Sequence, residues 1–130
     1  LHRNQVATRY HEELAGTPGI TFQRIREGAR SSYKDFPILV DEAAFGVNRD
    51  LLGKALQAEG IPTRAYFHPA GHEQTAYADL PPVHLPWTER LSRQVLCLPI
   101  ASHMDLEEVG RVAWAVRRIQ AHASSLRVTG

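Results

Sequence analysis

Residues 60–77 constrain the fold most, because they alternate like a strand and then break at proline and glycine. Every second residue from Ile61 to Phe67 would lie on one side of an extended chain, which is the period of a β-strand. Pro69 lacks a backbone N–H, so the strand cannot continue beyond it as a central one. Gly71 permits a sharp turn. The pattern predicts a strand over Ile61–Phe67, followed by a loop.

The same stretch concentrates polar side chains. They comprise two phenols, a guanidinium, an amide and the imidazoles of His68 and His72. Loops held by a rigid strand are frequent sites of binding groups. We therefore expect this strand and loop to form one pocket, to which Arg64 and His72 both contribute.

The rest of the chain predicts an α+β fold, a small and mostly antiparallel sheet flanked by helices. Helical periodicity is present at both ends, and the last helix begins with the capping pair Asp105 and Glu108. Asn48 and Thr88 are expected to cap two further helices, the second with Leu91 and Val95 facing inward. The predicted helices are 1–15, 49–59, 89–95 and 106–119.

Short apolar runs predict the remaining strands at residues 20–25, 33–41 and 96–100. Pro37 lies inside the second of these runs. Because proline cannot donate to a sheet ladder, we expect Pro37 to place that strand at an edge or at a bulge.

Composition narrows the classes of function. The 15 basic and 14 acidic residues nearly cancel, so we predict no nucleic-acid partner. No apolar run is long enough to span a bilayer, and we predict no membrane association. The lone cysteine, Cys97, has no internal disulfide partner, which is typical of a cytoplasmic protein. His68 and His72 are separated by Pro69 and Gly71, so helical metal-ligand spacing does not apply and no metal site is predicted.

The run from Gly60 to Tyr77, GI-x-TR-x-YF-x-P-x-x-H-x-Q-x-x-Y, resembles a segment of the small C-terminal domain of the DegT/DnrJ/EryC1/StrS aminotransferases. Five further segments resemble the same family in the same order. They are Arg9-Tyr10, Tyr33–Val40, Gly46–Leu51, Leu85–Ser92 and Val95–Pro99. The resemblance implies the small domain of a fold-type-I aminotransferase over residues 1–123, followed by a frayed tail at 124–130.

The resemblance also implies an activity for a larger parent enzyme. Such an enzyme uses pyridoxal 5'-phosphate to move an amino group, from glutamate or another donor, to a keto-deoxysugar linked to a nucleotide. It acts as a homodimer. Lys34 and Lys54 match no Schiff-base motif, and a backbone cradle for the cofactor phosphate is missing. We therefore expect the large cofactor-binding domain to lie outside this chain, and the chain alone to be inactive with no catalytic residue.

What the resemblance implies for the site is a substrate-facing role for the polar side chains of residues 60–77. His72 either donates to the diphosphate or a sugar hydroxyl, or it orders the loop. Arg64 either binds an anion through its fork or pairs with a surface acid. Tyr66 either contacts the sugar or packs, and Gln74 either touches substrate or fixes the loop. The candidate substrate-binding residues are Arg64, Tyr66, His68, His72 and Gln74.

Two other classes of function stay open at this point. The chain could be a stand-alone α+β module that binds a small molecule in the loop from Arg64 to Gln74. It could also be a protein-interaction domain without a small-molecule site. An upstream reading frame encoding a large α/β domain with a lysine in a cofactor context would favour the enzyme.

Overall fold

The computed structural model describes residues 2–126. Within that range, three antiparallel strands form one sheet in the order β1-β2-β3: Ile20–Phe22 (β1), Phe36–Val40 (β2) and Val95–Leu98 (β3). The helices are α1 (His2–Leu14), α2 (Glu42–Phe45), α3 (Arg49–Ala58), α4 (Pro86–Gln94), α5 (Leu106–Ala121) and α6 (Ala123–Leu126). This architecture confirms the predicted α+β class with a small antiparallel sheet.

The hydrophobic core lies between one face of the sheet and the helices α1 and α5. Phe36, Ile38 and Val40 alternate with less buried neighbours along β2, so every second side chain enters the core. Tyr10 of α1 stacks on Phe36 with ring centroids 4.8 Å apart. Its hydroxyl donates to the Pro99 carbonyl at 2.8 Å, so the polar atom of the buried Tyr10 side chain has a hydrogen-bond partner.

Pro37 lies in the central strand, so its predicted position at an edge or bulge is wrong. It is paired with Cys97 of β3, but Cys97 exchanges its backbone hydrogen bonds with Arg64 instead. The pair is therefore a non-hydrogen-bonded one, and the Pro37 nitrogen faces the opposite side of β2. There β1 has already ended at Phe22, so no ladder bond is lost.

Residues 61–67 form no strand, contrary to the prediction. Arg64 alone pairs with β3: its N–H donates to Cys97 O at 3.2 Å and its carbonyl accepts from Cys97 N at 2.7 Å. In a continued ladder the residues two before and two after Arg64 would also face β3. Pro62 has no N–H to donate, and the chain turns when His68 N bonds Ala65 O at 2.8 Å.

The helix that precedes β3 begins earlier than its predicted cap. Leu85 is the N-cap residue of α4 and Pro86 its first residue, a position that proline favours because its missing N–H would be unpaired there. Thr88 therefore lies inside the helix. Leu91 is 43% exposed rather than inward-facing, whereas Val95 is buried as predicted but belongs to β3.

The last long helix agrees well with its prediction. Glu108 N donates to Asp105 Oδ1 at 2.7 Å and Asp105 N to Glu108 Oε2 at 3.0 Å, which completes the capping box. Leu106, the first residue of the helix, is exposed, whereas the apolar side chains that follow at helical spacing are buried: Val109, Val112, Ala113, Val116 and Ile119. Of the tail predicted to fray, residues 124–126 lie in α6, and residues 127–130 fall outside the described range.

Candidate functional site

Residues 66–85, which we call loop 66–85, carry four of the five candidate residues on the surface beside α4. The loop contains two single turns of 3₁₀-helix, Gly71–Glu73 and Thr75–Tyr77. Ala70 is its one buried residue and His72 its one half-buried residue. Because so little of loop 66–85 enters the core, its shape depends on the hydrogen bonds that it makes to α4.

The first of these bonds anchors His68. Ser92 of α4 is buried, and its hydroxyl donates to Phe67 O at 3.0 Å. The same oxygen lies 3.0 Å from His68 Nδ1. Because a hydroxyl has one proton, it must accept from His68, whose Nδ1 therefore carries a hydrogen.

A second set of bonds converges on Glu89, one turn earlier in α4. Its Oε1 accepts from Leu85 N at 2.8 Å, from His84 Nδ1 at 3.1 Å and from His72 Nε2 at 3.3 Å. The Leu85 N–H, followed by the two imidazoles, lowers the pKa of the Glu89 carboxyl below its ordinary value. Glu89 is consequently a carboxylate at neutral pH and can only accept.

His72 lines a cavity of about 550 Å³. Its walls include Glu89, Tyr77 and the connector at residues 80–83, which is rich in proline. A cavity of this size is in the range that holds a small ligand. Gln74 is exposed between the two 3₁₀ turns and does not line it.

Arg64 and Tyr66 lie elsewhere. Arg64 lines a separate cavity of about 770 Å³ with Arg111 and Trp114 of α5, and its guanidinium donates to Thr63 O at 3.4 Å. Tyr66 stacks on Phe67, with centroids 5.1 Å apart, over an apolar groove of about 570 Å³.

The expectation that Arg64 and His72 share one pocket is therefore wrong. The physical reason is the turn at residues 65–68, which ends the pairing with β3 after a single residue. Residues before the turn face α5, and those after it face α4. A substrate role for each of the five candidates stays a prediction.

Sequence reasoning missed Arg49, a buried residue that positions α4. The Arg49 side chain is 3% exposed at the start of α3. Its NH1 donates to Ser92 O at 3.3 Å and Val95 O at 2.9 Å, at the end of α4 where carbonyls lack helical partners. Its Nε lies 2.7 Å from the exposed Asp50 carboxylate. The accepting residues are more than forty positions away, so no local pattern could have revealed them.

The residues of this chain do not fit pyridoxal phosphate. Lys34 and Lys54 are both exposed, and neither lines the cavity beside His72. Within residues 2–126, no group of three or more His, Cys, Asp or Glu is arranged to hold a metal ion. Over the same range, no helix combines the length and the apolar character needed to cross a bilayer.

Comparison with known proteins points to one family. Residues 1–117 match the family model described as DegT/DnrJ/EryC1/StrS aminotransferase. The dTDP-4-amino-4,6-dideoxy-D-glucose transaminase of Escherichia coli is 33% identical over 113 residues, which are 85% of this chain and 30% of that protein. The erythromycin biosynthesis sensory transduction protein EryC1 of Saccharopolyspora erythraea is 34% identical over 112 residues, 85% of this chain and 29% of that protein.

Solved structures agree with these relatives. DesI, crystallised in the presence of its TDP-sugar product, superimposes with a TM-score of 0.91 and 33% identity over 98% of this chain and 33% of its own. DesV of S. venezuelae, in complex with a ketimine intermediate, gives a TM-score of 0.82 and 32% identity over 92% of this chain and 31% of its own. The chain thus spans about a third of the length of the relatives that it matches.

Proposed function

Because the chain belongs to the DegT/DnrJ/EryC1/StrS aminotransferase family, we propose that it forms the small domain of a nucleotide-sugar aminotransferase. The parent enzyme would transfer an amino group, from glutamate, to a keto-deoxysugar linked to a nucleoside diphosphate. The observation that carries this proposal is the superposition on DesI over 98% of the chain, since that structure was obtained with a TDP-sugar product.

The large domain and this small domain would have different roles in the enzyme. Pyridoxal phosphate supplies the electron sink for amino transfer, and it would be held by a large domain rather than by this chain. The chain would bind and orient the sugar nucleotide through loop 66–85. Lys34 and Lys54 are exposed and neither lines the cavity beside His72, which supports the proposal that the chain alone is inactive.

Among the five candidates, His72 has the strongest support as a substrate-facing residue. It lines a ligand-sized cavity and is held by Glu89 of α4. Arg64 and Tyr66 line neighbouring cavities. They would contact the same substrate only if other parts of the enzyme close these cavities into one site. His68 and Gln74 are exposed beside them and complete the proposed surface.

The same region exposes large apolar side chains. Phe67 is 74% exposed and Trp87 73%, with Leu80 and Leu91 also exposed. Several large exposed apolar side chains on one loop and its neighbouring helix are typical of an interface. We propose that the large domain and a second subunit cover these side chains in a homodimer. We also propose that this enzyme is cytoplasmic.

The test uses the full-length protein that contains this chain, loaded with pyridoxal phosphate. Its two half-reactions, with glutamate and with the sugar nucleotide, are followed separately by cofactor absorbance. We expect His72→Ala to slow the sugar-nucleotide half-reaction more than the glutamate half-reaction. His122→Ala, which removes an exposed imidazole that bonds Arg118 O, serves as the control.

Equal slowing of both half-reactions by His72→Ala would refute its substrate role. A full-length protein that binds sugar nucleotides without aminating them would instead support the alternative of a binding module.

A further inference from the structure

The neighbours of His72 determine which of its ring nitrogens carries the hydrogen. Glu89 Oε1 lies 3.3 Å from His72 Nε2, and an ionised carboxylate can only accept a hydrogen bond. The hydrogen on Nε2 must therefore belong to His72. In a neutral imidazole one nitrogen carries the hydrogen and the other offers a lone pair. Nδ1 of His72 is thus left as an acceptor.

Glu89 is well placed to impose this arrangement. It belongs to α4, and the Leu85 N–H fixes its Oε1 from the preceding turn at 2.8 Å. Its side chain is 14% exposed, whereas that of His84, its other imidazole partner, is 78% exposed. Of these two histidines, His72 lines the cavity.

The lining of the cavity gives an independent indication of the ligand group. Glu73, Tyr77 and Glu89 line it, and the Glu73 carboxylate is paired with Arg93 of α4, which does not line the cavity. Among the described residues that form its wall, none is Lys or Arg. A wall that contains Glu89 and no guanidinium or ammonium of its own disfavours a phosphate and suits the hydroxyls of a neutral sugar.

We propose that Glu89 is a positioning residue that holds His72 so that its Nδ1 accepts a hydrogen bond from a sugar hydroxyl. This inference rests on the proposed function and specifies which part of the substrate His72 contacts. His72 contacts the sugar and does not contact the diphosphate. A nucleoside diphosphate without the attached sugar cannot form this hydrogen bond.

The experiment measures binding of dTDP-glucose and of dTDP to the full-length holoenzyme by calorimetry. We expect His72→Ala and Glu89→Ala each to raise the Kd for dTDP-glucose about five- to tenfold, the loss typical of one hydrogen bond. The Kd for dTDP should stay within about twofold, since dTDP lacks the glucosyl group whose hydroxyls His72 would contact. Glu89→Gln should recover part of the loss, because its amide oxygen can still accept from Nε2.

Two comparisons separate positioning from general loop damage. Residues that act as a unit are not additive, so the double variant of His72 and Glu89 should lose no more than either single variant. Arg93→Gln is the matched control, since it removes another ion pair between loop 66–85 and α4, the one with Glu73 at 3.4 Å. It should leave both Kd values unchanged.

Several results would overturn the inference. Equal weakening of dTDP and dTDP-glucose by His72→Ala would place the imidazole on the diphosphate. Additive losses in the double variant would show that Glu89 acts apart from His72. If Glu89→Ala does not fold, comparing the two ligands in His72→Ala still shows whether His72 contacts the sugar or the diphosphate.

A direct readout of the tautomer keeps this inference distinct from the proposed function. In the ¹⁵N spectrum of histidine-labelled protein, assigned by difference from His72→Ala, Nδ1 of His72 should be unprotonated. A protonated Nδ1 beside a bare Nε2 refutes the role of Glu89. A wild-type holoenzyme that binds neither ligand refutes the proposed function, while the tautomer measurement still tests the contact between Glu89 and His72.

Discussion

Replacing Arg49 with methionine should be among the most destabilising single changes beside the sheet. Methionine fills a similar volume but cannot donate a hydrogen bond. The change would leave Ser92 O and Val95 O, which Arg49 NH1 bonds at 3.3 and 2.9 Å, without this donor at a buried junction. These two bonds fix the end of α4 against β3 and the start of α3.

The magnitude follows from the charge and burial of these bonds. Hydrogen bonds to a charged group contribute about 1.5–3 kcal/mol each, so the pair is worth about 3–6 kcal/mol. Burial of the methionine side chain offsets part of this loss, by about 1 kcal/mol. We therefore expect the free energy of unfolding to fall by about 2–5 kcal/mol.

The assay is urea unfolding of residues 1–130 followed by circular dichroism. With a denaturant slope of about 1–3 kcal/mol/M, the midpoint should fall by at least about 0.7 M. Arg49→Lys should lose less, because an ammonium keeps the charge but not the planar fork. Asp50→Asn is the control: the Asp50 carboxylate is 69% exposed, so its loss should cost at most about 1 kcal/mol. A methionine variant no less stable than Asp50→Asn would refute the reasoning.

Three further predictions follow from the structure. Gly19→Ala should cost about 2–4 kcal/mol in unfolding free energy by denaturant titration, because φ is +75° and the new Cβ would lie 2.3 Å from a backbone nitrogen of α2. Gly16→Ala, at φ +72° with open space around it, should cost only about 1–2 kcal/mol, and equal costs would refute the steric argument. The pKa of Glu89 is lowered on folding, so its stabilising effect is complete above the ordinary carboxyl pKa and disappears as the pH falls through the lowered value. The stability difference between wild type and Glu89→Gln should therefore narrow as the pH falls below the ordinary carboxyl pKa, and a constant difference would contradict it. Borohydride treatment of this chain with pyridoxal phosphate should trap no specific adduct by mass spectrometry, and selective labelling of Lys34 or Lys54 would contradict the inactivity of the isolated chain.

Local rules predicted elements whose ends are set by neighbouring residues. The capping box and the N-cap are of this kind: Asp105 and Glu108 begin α5, and Asn48 begins α3 by accepting from Leu51 N at 2.9 Å. The alternating core residues of β2 were equally predictable. In each case the interacting groups are within a few positions of one another, so the sequence contains the whole interaction.

The wrong predictions in residues 61–72 have a common cause in long-range pairing. The alternation in residues 61–67 is genuine, but a strand needs a partner that can bond every second residue, and Pro62 withholds one of those bonds. The separation of Arg64 from His72 has the same cause. The predicted shared pocket depended on the predicted strand, so both predictions were wrong together. The cap at Thr88 was wrong for a local reason, because the fixed φ of Pro86 suits the first helical position.

The position of α4 is what finally links stability to the candidate site. Glu89 and Ser92, three residues apart on the same side of the helix, hold His72 and His68 respectively. The carbonyl of Ser92 is in turn held by buried Arg49. Loop 66–85 has almost no core of its own, so a shift of α4 must move both imidazoles together. Substitutions at Arg49 should therefore weaken sugar-nucleotide binding at sites they never touch, whereas Glu89→Ala should do so with the core intact.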